Sequence, residues 1–173
     1  YPSCNLLVRK DIFEELGGFK TNFWPGEDTH LCLEITKRLN KKIVYDPEAF
    51  VFHHRRPLFF QHLRQIKNYA EHRGYFVKRF PQTSLRWQYF VPSLFLMWLI
   101  AGIPVSLFHA SFAIFYFVTI LGYSLAVIAA SYDERSPEML RYVALGIFLT
   151  HICYGYNFIL GLCRSRLSEE SEI

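Results

Sequence analysis

Two adjacent carboxylates, Glu27 and Asp28, follow Gly26 at the point where an apolar helical pattern begins. Leu31, Ile35 and Leu39 recur every fourth residue, which predicts a helix running to about Asn40 with both carboxylates in its first turn. Two uses fit that placement. Acidic side chains in a first turn cap a helix and answer its dipole, and a carboxylate held at a turn can serve as a general base. A second dense group follows at His53-His54-Arg55-Arg56, two imidazoles and two guanidiniums in four residues. Basic residues so placed can face lipid headgroups.

The elements that must position these groups divide the chain near Arg86. Residues 1–88 hold 15 of the 19 Lys and Arg and 9 of the 15 Asp and Glu, a formal +6, while residues 89–173 carry −2. The first half reads as basic and water-facing. The second has uncharged stretches rich in Leu, Ile, Phe, Val and Tyr, and three of them, Tyr89–Phe108, Ser111–Ala130 and Tyr142–Cys163, reach the roughly 20 residues that cross about 30 Å of hydrocarbon. Residues 89–163 are therefore expected to form a membrane region of about three helices, with Pro92 and Pro104 starting or kinking the first. The excess of Lys and Arg before Tyr89 places the soluble half in the cytoplasm, at a bacterial plasma membrane. Three crossings are expected, since the first segment is long enough to cross, and put the tail, residues 164–173, on the opposite side; a re-entrant first segment would return it.

Cys4, Cys32, Cys153 and Cys163 form no CxxC pair and read as reduced packing residues. With no initiating Met and an apparent strand at its start, the chain reads as the C-terminal part of a longer protein.

Within the soluble half, Ser3 to Arg9 reads as a buried strand, Asp11-Ile12-Phe13-Glu14 as a capping box, and Gly17-Gly18 as the stop of the short helix that follows. Lys41 to Tyr45 and Ala49 to His53 read as strands joined by a turn at Asp46-Pro47. The soluble part is thus expected to be α/β. Residues 61–86 read as a basic amphipathic helix lying at the membrane interface, with a solvated face of the soluble domain as the alternative. Nucleic-acid binding is not expected, because the basic residues cluster beside the membrane rather than with an aromatic platform.

Taken in order, Asn5-Leu6-Leu7-Val8-Arg9-Lys10, Leu16-Gly17-Gly18-Phe19, Gly26-Glu27-Asp28-Thr29-His30-Leu31, Val44-Tyr45-Asp46-Pro47 and Val51-Phe52-His53 resemble family 2 glycosyltransferases. The resemblance covers roughly residues 1–60 and implies the acceptor-side half of a GT-A domain, α/β in class, followed by an all-α transmembrane region. It implies an inverting, membrane-bound enzyme that moves a sugar from a nucleotide-sugar donor to a lipid-linked or glycan acceptor. Asp28 is then the general base and Glu27 its supporting carboxylate. His53 is implied as a ligand of Mg²⁺ or Mn²⁺, Arg55 and Arg56 as partners of the donor diphosphate, and Asn5, Trp24, Gln61 and Arg64 as acceptor contacts.

Two features depart from the family. The chain contains no Asp-x-Asp motif, so it should not turn over donor alone. Gln61-His62-Leu63-Arg64-Gln65 resembles the Gln-x-x-Arg-Trp of processive synthases but carries Gln65 where the stacking Trp belongs. A processive polysaccharide synthase and a non-enzymatic membrane adaptor or transport subunit are the alternative functions.

Overall fold

The computed structural model describes residues 3–54, 56–132 and 136–167. Among these residues the fold is all-helical, which overturns the α/β expectation: no strand forms. Ser3–Asn5 is a 3₁₀ turn, and the backbone of residues 41–46 and 49–54 contains no regular element apart from the turn at Pro47-Glu48. The reason is physical. β-Branched and aromatic residues favour a pleated surface only where a neighbouring strand supplies the hydrogen-bond ladder. Inward-facing Leu6, Val8 and Ile43 do find a core, against Leu16, Leu31 and Ile35. Leu7, Val44 and Phe52 stay 93%, 82% and 95% exposed.

The helices before residue 40 are short. α1 (Lys10–Glu15) starts after Arg9 without a side-chain cap, and Asp11 instead takes a bidentate contact from Arg9 at 2.6 and 3.1 Å, so the capping box does not form. Gly17 and Gly18 end it as expected, at φ +71° and +75°, with Gly18 N–H donating to the Phe13 carbonyl at 2.9 Å. α2 (Glu27–Leu33) runs on through a π-helical turn, Glu34–Arg38, to Asn40 at φ +50°. The Asp46-Pro47 turn is present, with Glu48 N–H on Asp46 Oδ1 at 3.0 Å.

Five helices follow: α3 (Phe60–Arg79), α4 (Pro81–Ser84), α5 (Val91–Ser106), α6 (Ala110–Ala130) and α7 (Pro137–Cys163). α3 runs along α7 in the same direction. Leu58 meets Gly146, His62 Nε2 lies 3.0 Å from Thr150 Oγ1, and Lys78 Nζ donates to the Arg164 carbonyl at 2.6 Å. The approach is close enough that a Cβ on Gly161 would fall on the Glu71 carbonyl oxygen, and one on Gly74 on the Phe158 carbonyl oxygen. α5 runs the other way against α7, with Ser93 Oγ donating to the Gly155 carbonyl at 3.0 Å. α6 joins through Trp98 Nε1 to Thr119 Oγ1 at 3.0 Å and through Tyr123 to His151 at 2.8 Å.

α6 and α7 are long and apolar enough to cross a membrane, and α5 is a shorter apolar helix. Only 11% of the apolar stretch of α6 and 22% of that of α7 is buried, the opposite of a soluble core helix. Pro92 sits at the start of α5 and Pro104 inside it. Of the described residues beyond α7, Leu167 returns to the N-terminal part of the chain: it is 2% exposed in a cluster with Phe23, Tyr75 and Phe76.

Candidate functional site

The carboxylate turn is clamped to α3 by aromatic rings. Phe23 stacks on His30 at 4.7 Å between centroids and meets Phe76 and Phe80 edge-on at 5.8 and 5.2 Å. Gly26 is required by space rather than by conformation. Its φ is −112°, and a Cβ there would lie 2.9 Å from the Phe76 ring and 3.1 Å from the Phe23 carbonyl oxygen.

Glu27 and Asp28 occupy the first turn of α2, both half-buried. Asp28 Oδ1 accepts the Thr29 backbone N–H at 2.6 Å and lies 3.3 Å from Thr29 Oγ1, which fixes the carboxylate's orientation. Glu27 Oε2 is buried and meets no hydrogen-bond donor. Burial raises its pKa above the ordinary glutamate value, and Asp28 adds to the rise; its own backbone N–H and His72 oppose it. Burial likewise lowers the pKa of His30, flanked by Phe23 and Phe80.

Facing the turn, α3 presents Tyr69, His72 and Arg73, which line a small crevice with Pro25, Gly26 and Thr29. His72 is 6% exposed, and its Nδ1 lies 2.9 Å from the Asn68 carbonyl oxygen. Because a carbonyl only accepts, Nδ1 carries a proton. The Arg73 guanidinium lies between the rings of Tyr69 and Tyr89, 4.9 and 4.7 Å from their centroids, and donates to Tyr69 OH at 2.5 Å and Ser84 Oγ at 3.3 Å. Tyr154 Oη, on α7, is buried without a hydrogen-bond partner. In the sequence Tyr69 and Arg73 read only as part of the basic amphipathic helix and His72 and Tyr154 carried no signal, although Asn68/His72 and Tyr69/Arg73 each sit four residues apart on one helix face.

The remaining expected site residues are dispersed. Trp24 is half exposed, two residues before Gly26. Asn5 donates to the Ala49 carbonyl at 3.0 Å and lines a separate cleft of about 550 Å³ between residues 5–12 and 41–49. Gln61 and Arg64 are exposed near the start of α3, about 16 and 12 Å along the helix from His72 at 1.5 Å per residue. His53, His54 and Arg56 are exposed, and Arg55 lies outside the described residues. No group of three or more His, Cys, Asp or Glu is gathered for a metal among the described residues, so His53 offers a single ligand. The arrangement presents a fixed carboxylate, Asp28, beside a partly buried one, Glu27, at the end of the bundle where α7 ends. Neither a family model, nor a curated protein, nor a solved structure matches the chain.

Proposed function

We propose that this chain supplies the acceptor-side carboxylate and the membrane anchor of an inverting glycosyltransferase, which moves a sugar from a nucleotide-sugar donor to a lipid-linked or glycan acceptor. The observation that carries the reading is the docking of the Gly26-Glu27-Asp28 turn on α3, at the end of the bundle where α5 begins and α7 ends. An acceptor anchored by a lipid tail presents its hydroxyl at that boundary.

In this reading the acceptor oxygen attacks the anomeric carbon while Asp28 takes its proton, and the bond to the nucleoside diphosphate breaks on the opposite face. One displacement inverts the centre. General-base assistance of this kind is worth roughly 10² to 10⁴ in rate. The family resemblance assigns the leaving diphosphate to Arg55 and Arg56; Arg56 lies two residues before Leu58, which packs on Gly146 at the end of α3 away from Phe76 and the carboxylate turn, so this contact requires that segment to move. Bound Mg²⁺ or Mn²⁺ would neutralise charge on the diphosphate, with His53 as one ligand.

The same reading orients the molecule. Leu167 packed on Phe23 and the Lys78–Arg164 contact support an even number of crossings, with soluble half and tail both in the cytoplasm. The side chains of Arg64 and Lys67 are exposed on the outer face of α3. A charge at the bilayer centre costs about 2.5–3.5 kcal/mol, so that face must reach water or headgroups while α5 and α6 turn their bare apolar surfaces to lipid.

A membrane adaptor is the second reading, favoured by the exposed apolar side chains of Leu7, Val44 and Phe52. Membranes carrying the complete gene product, given radiolabelled nucleotide sugars, decide between them. Label in a lipid or glycan product of inverted anomeric configuration supports the transferase; a retained configuration, or no label from any donor, refutes it.

A further inference from the structure

We propose that Arg73, held between Tyr69 and Tyr89 where α5 begins, is a binding site for the phosphate of a lipid headgroup. The site stands apart from sugar transfer; its use, to hold a lipid acceptor beside the carboxylate turn, rests on that reading.

Arg73 carries a charge without a counterion. It is half-buried on α3, and among the described residues no carboxylate pairs with it. Glu71, the only acidic residue of α3, is held by Arg164 at 2.5 Å. A partly desolvated guanidinium of this kind costs stability unless an anion answers it.

Its direction is fixed. The guanidinium carbon lies 4.9 and 4.7 Å from the ring centroids of Tyr69 and Tyr89, while Nη2 donates to Tyr69 Oη at 2.5 Å and Nη1 reaches Ser84 Oγ at 3.3 Å and the Thr83 carbonyl at 3.5 Å. That leaves Nε–H and the second Nη2 hydrogen without an acceptor among the described residues. Tyr69 Oη accepts from Arg73, so its own hydrogen is free to donate, and the Tyr89 hydroxyl has no partner among the described residues. Donors gathered around one cation select an oxyanion, and a phosphate offers more acceptor oxygens than a carboxylate.

The setting points to a lipid as its carrier. Tyr89 stands two residues before α5, beside exposed Trp87, and on α5 Val91 and Leu94 are exposed in turn. Arg86, exposed just before them, adds positive charge that draws an anionic headgroup. Tyr69 is exposed enough to leave the site open, and its ring packs on Tyr154 of α7 with centroids 6.3 Å apart, which ties the site to the bundle. Tyr69 and Arg73 also line the crevice closed by Pro25, Gly26 and Thr29, so a headgroup held here ends beside the carboxylate turn.

The test uses the whole chain in detergent micelles and reads bound lipid by native mass spectrometry, with dioleoyl phosphatidate as the probe and diolein, the same chains without phosphate, as the control. Phosphatidate should bind more tightly than diolein by roughly tenfold, Arg73→Gln should abolish that advantage, and Lys67→Gln, which removes an exposed charge from the same helix, should keep it. Equal binding of the two lipids, or equal losses in Arg73→Gln and Lys67→Gln, overturns the proposal. If Arg73→Gln does not fold, Tyr89→Phe takes its place. It removes one hydroxyl and should weaken phosphatidate while leaving diolein alone; unchanged phosphatidate binding overturns the site. Inorganic phosphate that displaces phosphatidate at equal concentration would assign the site to a soluble phosphate and overturn its lipid source. Turnover is not measured, so phosphatidate bound at Arg73 in a protein that transfers no sugar upholds this inference while sinking the transferase reading.

Discussion

Replacing Gly161 by Ala tests the packing that places the site. Gly161 faces α3, and its added methyl would fall on the Glu71 carbonyl oxygen and lie 2.8 Å from the carbonyl carbon. Both are backbone atoms in the middle of a helix, so neither can swing aside as a side-chain tip could. α3 and α7 must separate. Overpacking of this kind typically costs about 1–3 kcal/mol. The separation also pulls on the Glu71–Arg164 ion pair, 2.5 Å long with Glu71 7% exposed, and on the Lys78 contact beyond it. Against this stands the roughly 1 kcal/mol that Ala gains over Gly in a helix. The control is built into the same bundle. Gly122, on α6, has nothing within 4 Å of its would-be Cβ, so Gly122→Ala keeps the propensity gain without the clash. Unfolding in mixed detergent micelles, followed by far-ultraviolet circular dichroism, should show Gly161→Ala less stable than Gly122→Ala by about 1–3 kcal/mol, the propensity gain being common to both, and Gly122→Ala equal to wild type or better. Equal stability of the two variants would refute the close pairing of α3 with α7.

Other outcomes follow from the site. Burial lowers the folded-state pKa of His30 below its ordinary 6.5, so the unfolded chain binds the proton more readily. Stability should be full above pH 6.5 and fall as pH drops from there toward the lowered midpoint, and His30→Phe should remove that slope in a urea series. Glu27 has the opposite sign, since its folded-state pKa is raised above 4.5: its favourable contribution is present below that value and lost as pH rises through the raised midpoint. Glu27→Gln should accordingly flatten the same curve on its acid side, while lowering sugar transfer less than a change at Asp28 does. His53→Ala should raise the Mg²⁺ or Mn²⁺ concentration for half-maximal transfer, and an unchanged requirement removes His53 from the metal site. In a protein with Cys4, Cys32, Cys153 and Cys163 replaced, Ser165→Cys should react with an impermeant thiol reagent only after permeabilisation; labelling in intact cells would mean that the tail leaves the soluble half.

What the sequence disclosed depended on whether the signal was local. The paired glycines stop α1, the four-residue repeat of Leu31, Ile35 and Leu39 marks α2, and uncharged length marks α5 to α7; each depends on neighbours in sequence alone. Strands do not. Ile43-Val44-Tyr45 has the residues of a strand, and without a paired backbone among the described residues it remains extended and bare on one side. The carboxylate turn was legible as a turn, yet the reason for Gly26 was not, because the ring it admits belongs to Phe76, fifty residues on. His72 and Arg73 were hidden for a related cause. On a helical wheel they belong to a basic amphipathic helix, and only the proximity of Pro25, Gly26 and Thr29 turns them into the wall of a site. The small residues Gly146, Gly155 and Gly161 did carry a signal for close helix approach, one that spacing alone does not assign to a partner.

The central claim is that Asp28 removes the acceptor's proton. Its most direct test is the rate of sugar transfer in membranes carrying the complete gene product, compared between wild type and Asp28→Asn at saturating donor and divalent metal. Asn preserves the side chain's size and its acceptor oxygen toward Thr29, so the turn should remain in place while the base is lost. The predicted result is a fall of roughly 10² or more in turnover with donor binding nearly unchanged. Near-wild-type turnover in Asp28→Asn would contradict the account.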